Sequence, residues 1–330
     1  MAVKIAINGL GRIGRCVARI ISRRNDIELV AVNASGTHDM IEYNVKYDSV
    51  HGTRDDVKVS DGYLNIGKDH AKILSERDLS KLNFSDYGVD IVLECTGAFL
   101  TQDSVQPYLD QGIKKVIFSA PAKDDTPTFV IGANENEYAG EAIISNASCT
   151  TNGLAPVAKV LNDAFGIENG LMTTIHSYTS SQPILDGKHK KDPRKGRSGA
   201  TNLVPTTTGA AKAISKVLPS LEGKINGQAI RVPTADVSMV DLTVTLKKDT
   251  NLDEVKAVFI AASEGSQKGI LDIDEDYRVS QDFVGEEQSA VVPLDTIQVI
   301  GGNMIKVLSW YDNEWGYSCR LVDMAIYISK

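Results

Sequence analysis

VKIAINGLGRIGR, residues 3–15, reads as a short apolar strand that runs into three spaced glycines and then into a helix. Gly9, Gly11 and Gly14 make the pattern G-x-G-x-x-G. In such a turn the first glycine permits the tight bend, the second lets backbone approach a pyrophosphate, and the third lets helix and strand pack closely. The helix N-terminus then offers backbone N–H groups, here those of Arg12 and Ile13, to phosphate charge. Ile13, Val17, Ile20 and Ile21 recur at helical spacing, so the strand–turn–helix context that gives the motif its meaning is present. The stretch predicts a dinucleotide-binding unit.

Working outward, IELVAVN (27–33), DIVLECTG (90–97), KKVIFSAPA (114–122) and EAIISNASC (141–149) are further apolar runs that stop at small or turn-forming residues. Apolar strands alternating with helices predict a parallel sheet covered on both faces. The second half reads differently. LMTTIHSY (171–178), GQAIRVP (227–233) and VDLTVTLKK (240–248) look like strands without long helices between them. Leu242, Val244 and Leu246 alternate with Thr243, Thr245 and Lys247, the pattern of an antiparallel sheet with one buried face. The expected fold class is therefore α/β. A Rossmann-type dinucleotide-binding domain (1–149) precedes an α+β catalytic domain (150–313) with a mixed, mainly antiparallel sheet. Leu321, Met324 and Ile328 share a helical face in the tail, so a helix over about 314–330 is expected to dock back on the first domain. The stretch 180–202 is rich in Lys, Arg, Gly and Pro and has no period, which predicts a long functional or partner-facing loop. Its Lys190, Lys191, Arg194 and Lys195 read as solvated or interfacial charge.

The 330 residues carry a net charge of −8, with 42% hydrophobic and 24% charged side chains. That composition excludes a disordered or fibrous chain, and the acidic balance argues against nucleic acid as the main partner. No apolar run approaches the ~18 residues of a membrane helix, and the N-terminus lacks the pattern of a secretory signal. A cytoplasmic protein is expected. The four cysteines, Cys16, Cys95, Cys149 and Cys319, form no CxxC pair, so neither a disulfide framework nor a metal site is indicated.

Cys149 differs from the other three. It ends a strand, and a helix follows with Leu154, Val157, Leu161 and Phe165 on its buried face. A thiol there feels the positive end of the helix dipole, which favours thiolate. Ser148, Thr150, Thr151 and Asn152 surround it with donors suited to an oxyanion or a phosphate. His38, His51, His70 and His189 sit in polar segments, whereas His176 sits within an apolar strand just after the helix that Cys149 opens. Cys149 and His176 are the expected nucleophile and its base. A nicotinamide site beside a reactive cysteine suggests one chemistry: thiolate addition to an aldehyde, hydride loss, and a thioester for a second nucleophile to cleave.

At this point the chain resembles phosphorylating glyceraldehyde-3-phosphate dehydrogenases. The resemblance is carried by AINGLGRIGR, KYDSVHG, ECTGAFLT, SAPAKDDTPTFVIGAN, ISNASCTTN, TTTGAAKA, RVPTADVSMVDLTV and SWYDNEWGYS, which run from residue 6 to residue 318. It implies an NAD- or NADP-dependent oxidation of glyceraldehyde 3-phosphate with inorganic phosphate as second nucleophile. Cys149 would be the nucleophile and His176 its ion-pair partner. Ser148, Thr150, Thr208 and Gly209 would bind the attacking phosphate. Thr179 and Arg231 would bind the substrate phosphate, with Ser181 and Arg197 nearby. Asn313 would hold the nicotinamide carboxamide, Tyr317 would lie against the ring, and Thr96, Gly97 and Ser119 would line the groove. Arg77 would lie by the adenosine. The loop 180–202 would bridge subunits of a homotetramer.

Three positions depart from the family pattern. An acid about 20 residues beyond the glycine turn usually holds the ribose hydroxyls, but Asn33, Ala34 and Ser35 stand there. Lys188 occupies a loop position where proline is common in NAD-preferring members. Losing an acid and gaining a cation both favour a ribose phosphate, so dual or NADP-leaning use is expected. Gly153 stands where many members have a second cysteine. Two other functions fit the same frame: an erythrose-4-phosphate dehydrogenase, with water as second nucleophile, and a non-catalytic nucleotide sensor.

Overall fold

The structure, a computed structural model, describes residues 2–189 and 192–330. Lys190 and Lys191 lie outside the described residues. The chain forms two compact units. One comprises residues 1–131, 135–148 and 318–330, and the other residues 132–134 and 149–317.

The first unit is built on an eight-stranded sheet of β1 (Val3–Asn8), β2 (Ile27–Asn33), β3 (Val57–Ser60), β4 (Tyr63–Ile66), β5 (Asp69–Leu74), β6 (Ile91–Glu94), β7 (Lys115–Phe118) and β8 (Ile143–Ser145). Its order is β3-β4-β5-β2-β1-β6-β7-β8. From β5 to β8 every pairing is parallel. β3 and β4 add antiparallel strands at one edge, a departure from the all-parallel expectation. These short strands have half-polar faces, which the search for fully apolar runs passes over. α1 (Arg12–Ile21), α2 (His38–Lys46) and α3 (Gln102–Asp110) are the long connecting helices of this unit. Thr101 caps α3 in a capping box with Ser104, worth about 1 kcal/mol. Val105 and Tyr108 of α3 pack on Phe84, Val92 and Phe118 with no exposed surface. Strand order reverses at β1, between β2 and β6, and ligands of such sheets bind beyond the strand ends at this switch point.

The second unit opens with α4 (Cys149–Phe165) and holds β9 (Ile167–Ser177), β10 (Val204–Thr207), β11 (Ile225–Val232), β12 (Ser238–Leu246), β13 (Leu271–Asp274), β14 (Ala290–Pro293), β15 (Gln298–Ile300) and β16 (Met304–Tyr311). Its sheet runs β10-β11-β9-β12-β16-β14-β13, with β15 on β16. β11–β9 and β13–β14 are parallel and the other pairs antiparallel. The mixed, mainly antiparallel sheet is therefore present. Two helices interrupt it, α5 (Ala210–Val217) and α6 (Leu252–Glu264). Leu154, Val157, Leu161 and Phe165 are buried as expected, but so are Ala155, Pro156, Ala158 and Val160. α4 is thus a central helix wrapped on nearly all sides rather than a surface helix with one apolar stripe. α7 (Trp315–Ile328) ends the chain, with Leu321, Met324 and Ile328 buried. Among the described residues no helix is long and apolar enough to cross a membrane.

Candidate active site

The glycine turn has the geometry its sequence requires. Gly9 has φ +98°, a region that favours glycine. A Cβ on Gly14 would come within 2.0 Å of the Gly9 carbonyl oxygen, so only glycine lets α1 start there. A Cβ on Gly11 would meet nothing within 4 Å, which leaves this backbone open to a ligand. Above the turn lies a cavity of about 560 Å³, ample for part of a dinucleotide. Gly9, Gly11, Asn33, Ala34, Ser35, Arg77 and Thr96 line it. Arg12, Ile13, Gly14, Gly97 and Ser119 flank this wall without lining it. The Arg12 guanidinium grips Asp48, at 2.5 and 3.1 Å, and holds that carboxyl down at about 2 against the burial that would raise it. Asn8, Arg15, Asn44, Glu76 and Cys95 line the cavity too, and sequence reading missed them. Burial pushes the Cys95 thiol up to about 12, which disfavours a thiolate at this place on the wall.

Asn33 is held in place on the cavity wall by its neighbours. Its Nδ2 donates to Asn8 Oδ1 at 2.7 Å and to the Glu76 carbonyl at 2.8 Å, and its Oδ1 accepts from the Glu76 N–H at 2.9 Å. Both of its amide hydrogens are therefore paired, one with β1 and one with the segment after β5. Thr96 is similar, because its hydroxyl donates to Glu94 and accepts from the Ala98 N–H.

The second constellation lies in the second unit. Ala147 adopts φ +57°, a costly left-handed turn for a residue with a Cβ. The chain then enters α4 at Cys149. Cys149 Sγ lies 3.6 Å from His176 Nε2. β11 pairs with β9 so that Arg231 stands beside His176. The Arg231 Nη1 lies 2.8 Å from His176 Nδ1 and 3.0 Å from the Ser177 carbonyl, which is itself 2.8 Å from Nδ1. With Nδ1 protonated, Ser177 takes that hydrogen and Nε2 faces the sulfur as a base. With Nδ1 bare, Arg231 donates to it and Nε2–H points at the sulfur. Both arrangements are neutral rings.

Burial and the Arg231 cation act on both members of the expected thiolate–imidazolium pair. Burial, and then the Arg231 cation, lower His176 to about 3. Burial raises the Cys149 thiol, while Arg231 and then the Thr150 hydroxyl and N–H pull it down. The Arg231 guanidinium adds a positive charge that favours a thiolate here. Desolvation opposes the fraction of a charge that the helix dipole supplies at this position.

Tyr311 completes this site and had no signal of its own. Fully buried, its hydroxyl bonds Thr174 Oγ1 at 2.7 Å and Thr150 Oγ1 at 3.0 Å. Its ring meets His176 edge-on. A Cβ on Gly153 would lie 3.0 Å from the Tyr311 ring, so the absent second cysteine has a steric counterpart. Asn313 accepts from Ser177 Oγ at 2.8 Å and Ser238 Oγ at 2.5 Å through Oδ1. Those two bonds fix the orientation of its amide. Tyr317 is buried in α7. Thr208 and Gly209 stand at the N-terminus of α5, where Thr208 Oγ1 accepts from the Ala210 N–H. Thr179 and Ser181 hydroxyls bond each other at 2.9 Å. Ser148 is half-buried just before Cys149. Arg197 is exposed and paired with Asp186 at 2.6 Å, and Lys188 is exposed on the same loop. The described contacts do not bring these two to Cys149.

A parallel sheet with a glycine turn at its switch point places the chain in the dinucleotide-binding class. Residues 3–102 match the family model described as "Glyceraldehyde 3-phosphate dehydrogenase, NAD binding domain", and residues 148–313 match "Glyceraldehyde 3-phosphate dehydrogenase, C-terminal domain". The chain belongs to the glyceraldehyde 3-phosphate dehydrogenase family. It is 49% identical over 331 residues to "Glyceraldehyde-3-phosphate dehydrogenase A" of Escherichia coli (strain K12), with all of both chains covered. It is 50% identical over 329 residues to "Glyceraldehyde-3-phosphate dehydrogenase" of Eremothecium gossypii, with 99% of each covered.

Proposed function

We propose that this enzyme converts D-glyceraldehyde 3-phosphate and inorganic phosphate to 1,3-bisphosphoglycerate through Cys149. The observation that carries the reading is Cys149 Sγ at 3.6 Å from His176 Nε2, with Arg231 on the far side of the ring. The Cys149 sulfur adds to the aldehyde carbon, and its proton reaches the new hydroxyl by way of His176. The nicotinamide, when bound, supplies the hydride acceptor. His176 takes the hydroxyl proton as the carbonyl re-forms and leaves a thioester on Cys149. A phosphate oxygen then attacks the thioester carbon, the C–S bond breaks, and Cys149 is regenerated.

Arg231 suits the substrate phosphate, since a guanidinium binds two oxygens at once, with Thr179, Ser181 and Arg197 assisting. Ser148, Thr150, Thr208 and Gly209 are assigned to the attacking phosphate. Asn313 and Tyr317 are assigned to the nicotinamide. Phosphate-dependent product formation tests the reading: initial rates with glyceraldehyde 3-phosphate should need inorganic phosphate. Phosphate-independent turnover would instead favour the erythrose-4-phosphate type of chemistry.

For the cofactor we infer dual or NADP-leaning use. Ala34 and Ser35 place no charge at the end of β2, and Arg77 is exposed on the cavity rim. Glu76 shares that rim and tempers the preference. Ala34→Asp should move the kcat/KM ratio toward NAD by roughly 10–100-fold, the effect of about 1.4–2.8 kcal/mol of like-charge repulsion on a ribose phosphate. Strict NAD preference in the native enzyme would refute the inference.

A homotetramer is the inferred assembly. Ile184, Leu185 and Leu203 of the loop are exposed by 81%, 79% and 68%, and Leu171 and Met304 of the sheet by 68% and 45%. Large exposed apolar side chains mark surfaces that another chain covers. A monomer in light scattering would exclude this assembly.

A further inference from the structure

Glu94 ends β6, inside the apolar run that carries ECTG, and is fully buried. A buried carboxylate is expensive unless donors surround it. Here Oε1 accepts from the Thr96 N–H at 2.9 Å and from the Thr96 hydroxyl. Oε2 accepts from Asn8 Nδ2 at 2.6 Å and, at a longer 3.4 Å, from the Tyr108 hydroxyl. From Asn8 the bonds continue through Asn33 to the Glu76 backbone. One polar chain thus stitches the ends of β6, β1 and β2 to the segment after β5. Glu94 does not line the cavity, but Asn8, Asn33, Glu76 and Thr96 all do.

The chain has a direction, and both ends fix it. The Glu76 N–H is a backbone donor, so it must meet Asn33 Oδ1. Asn33 Nδ2 must then face Asn8 Oδ1, and Asn8 Nδ2 must face an acceptor. Only an acceptor at position 94 closes the chain, because the same side chain also receives the two Thr96 donors.

We propose that Glu94 is a positioning residue for the dinucleotide site, setting through Asn8 and Asn33 the placement of the Glu76 backbone on the cavity wall. The proposal rests on reading the cavity as the cofactor site. In Glu94→Gln the amide oxygen is claimed by the Thr96 donors, so its NH2 group meets Asn8 Nδ2. Asn8 must turn over, Asn33 follows, and Asn33 then presents hydrogens to the Glu76 N–H. A change of one atom type at a buried position therefore reaches the cavity wall.

The test is a pair of variants of the full chain, with NAD and NADP binding measured by titration. If the native chain binds neither, the reading of the cavity fails, and this is separate from the role of Glu94. Given native binding, Glu94→Gln should weaken it about tenfold, the effect of one mispaired buried donor. The cofactor KM should rise by a similar factor, with a much smaller fall in kcat at saturating cofactor. Adding Asn8→Asp to Glu94→Gln moves the charge by one link and restores every donor–acceptor match from Thr96 to Glu76. Binding should return to within about threefold of native. A purely space-filling role predicts that single and double variants lose affinity alike, and that result overturns the proposal. Native affinity in Glu94→Gln also overturns it. If the single variant does not fold, the double variant decides: folding with restored binding supports the role, and failure refutes it.

Discussion

Replacing Cys149 by serine should leave a folded chain that binds its cofactor as before and turns over roughly 10⁴-fold more slowly or worse. The sulfur is the one protein atom of the proposed chemistry that bonds covalently to substrate. A serine hydroxyl in the same place ionises far less readily than a thiol and is the weaker nucleophile. Cofactor titration should show an unchanged affinity, since Cys149 is not among the residues lining the dinucleotide cavity. Substantial turnover by Cys149→Ser, or by Cys149→Ala, would mean that the thioester route is wrong.

Arg231→Gln should be nearly as damaging, by two separable effects. The first is loss of substrate-phosphate binding. A desolvated charge pair of this kind is worth about 2–5 kcal/mol, so kcat/KM for glyceraldehyde 3-phosphate should fall by about 30- to 5,000-fold. The second is electrostatic and needs no substrate. Arg231 lowers both the Cys149 thiol and His176, so removing its charge should raise both. Less thiolate is then present at a given pH. The rate of Cys149 alkylation by iodoacetamide should drop at neutral pH, and its rise with pH should move to more alkaline values. An unchanged alkylation profile would show that Arg231 is not the thiolate's counter-charge. An unchanged substrate KM would remove it from phosphate binding.

The two readings that fared differently show where sequence reasoning stops. GLGRIG carries its conclusion in six consecutive residues, because φ +98° at Gly9 and the 2.0 Å approach at Gly14 are local demands that only glycine meets. The burial of α4 was legible from Leu154, Val157, Leu161 and Phe165, since a helix repeats its faces every few residues. The charge state of Cys149 was not legible. It depends on desolvation and on a guanidinium brought in by strand pairing, and neither has a period. Glu94 did leave a trace, as a lone acid in an apolar strand. Its partners Asn8 and Asn33 are adjacent to it only because β6, β1 and β2 lie side by side.

From sequence alone came the dinucleotide turn with the strand and helix that flank it, and the singling out of Cys149 among four cysteines, because each depends on neighbours within a few residues. The tertiary structure decided that Arg231 meets His176 across 55 positions, that Tyr311 reaches Thr150 across 161, and that Glu94 anchors Asn8 across 86. Strand register is set by how whole faces pack together, and a linear pattern of apolar and polar residues specifies which face is buried but not which residue stands opposite which.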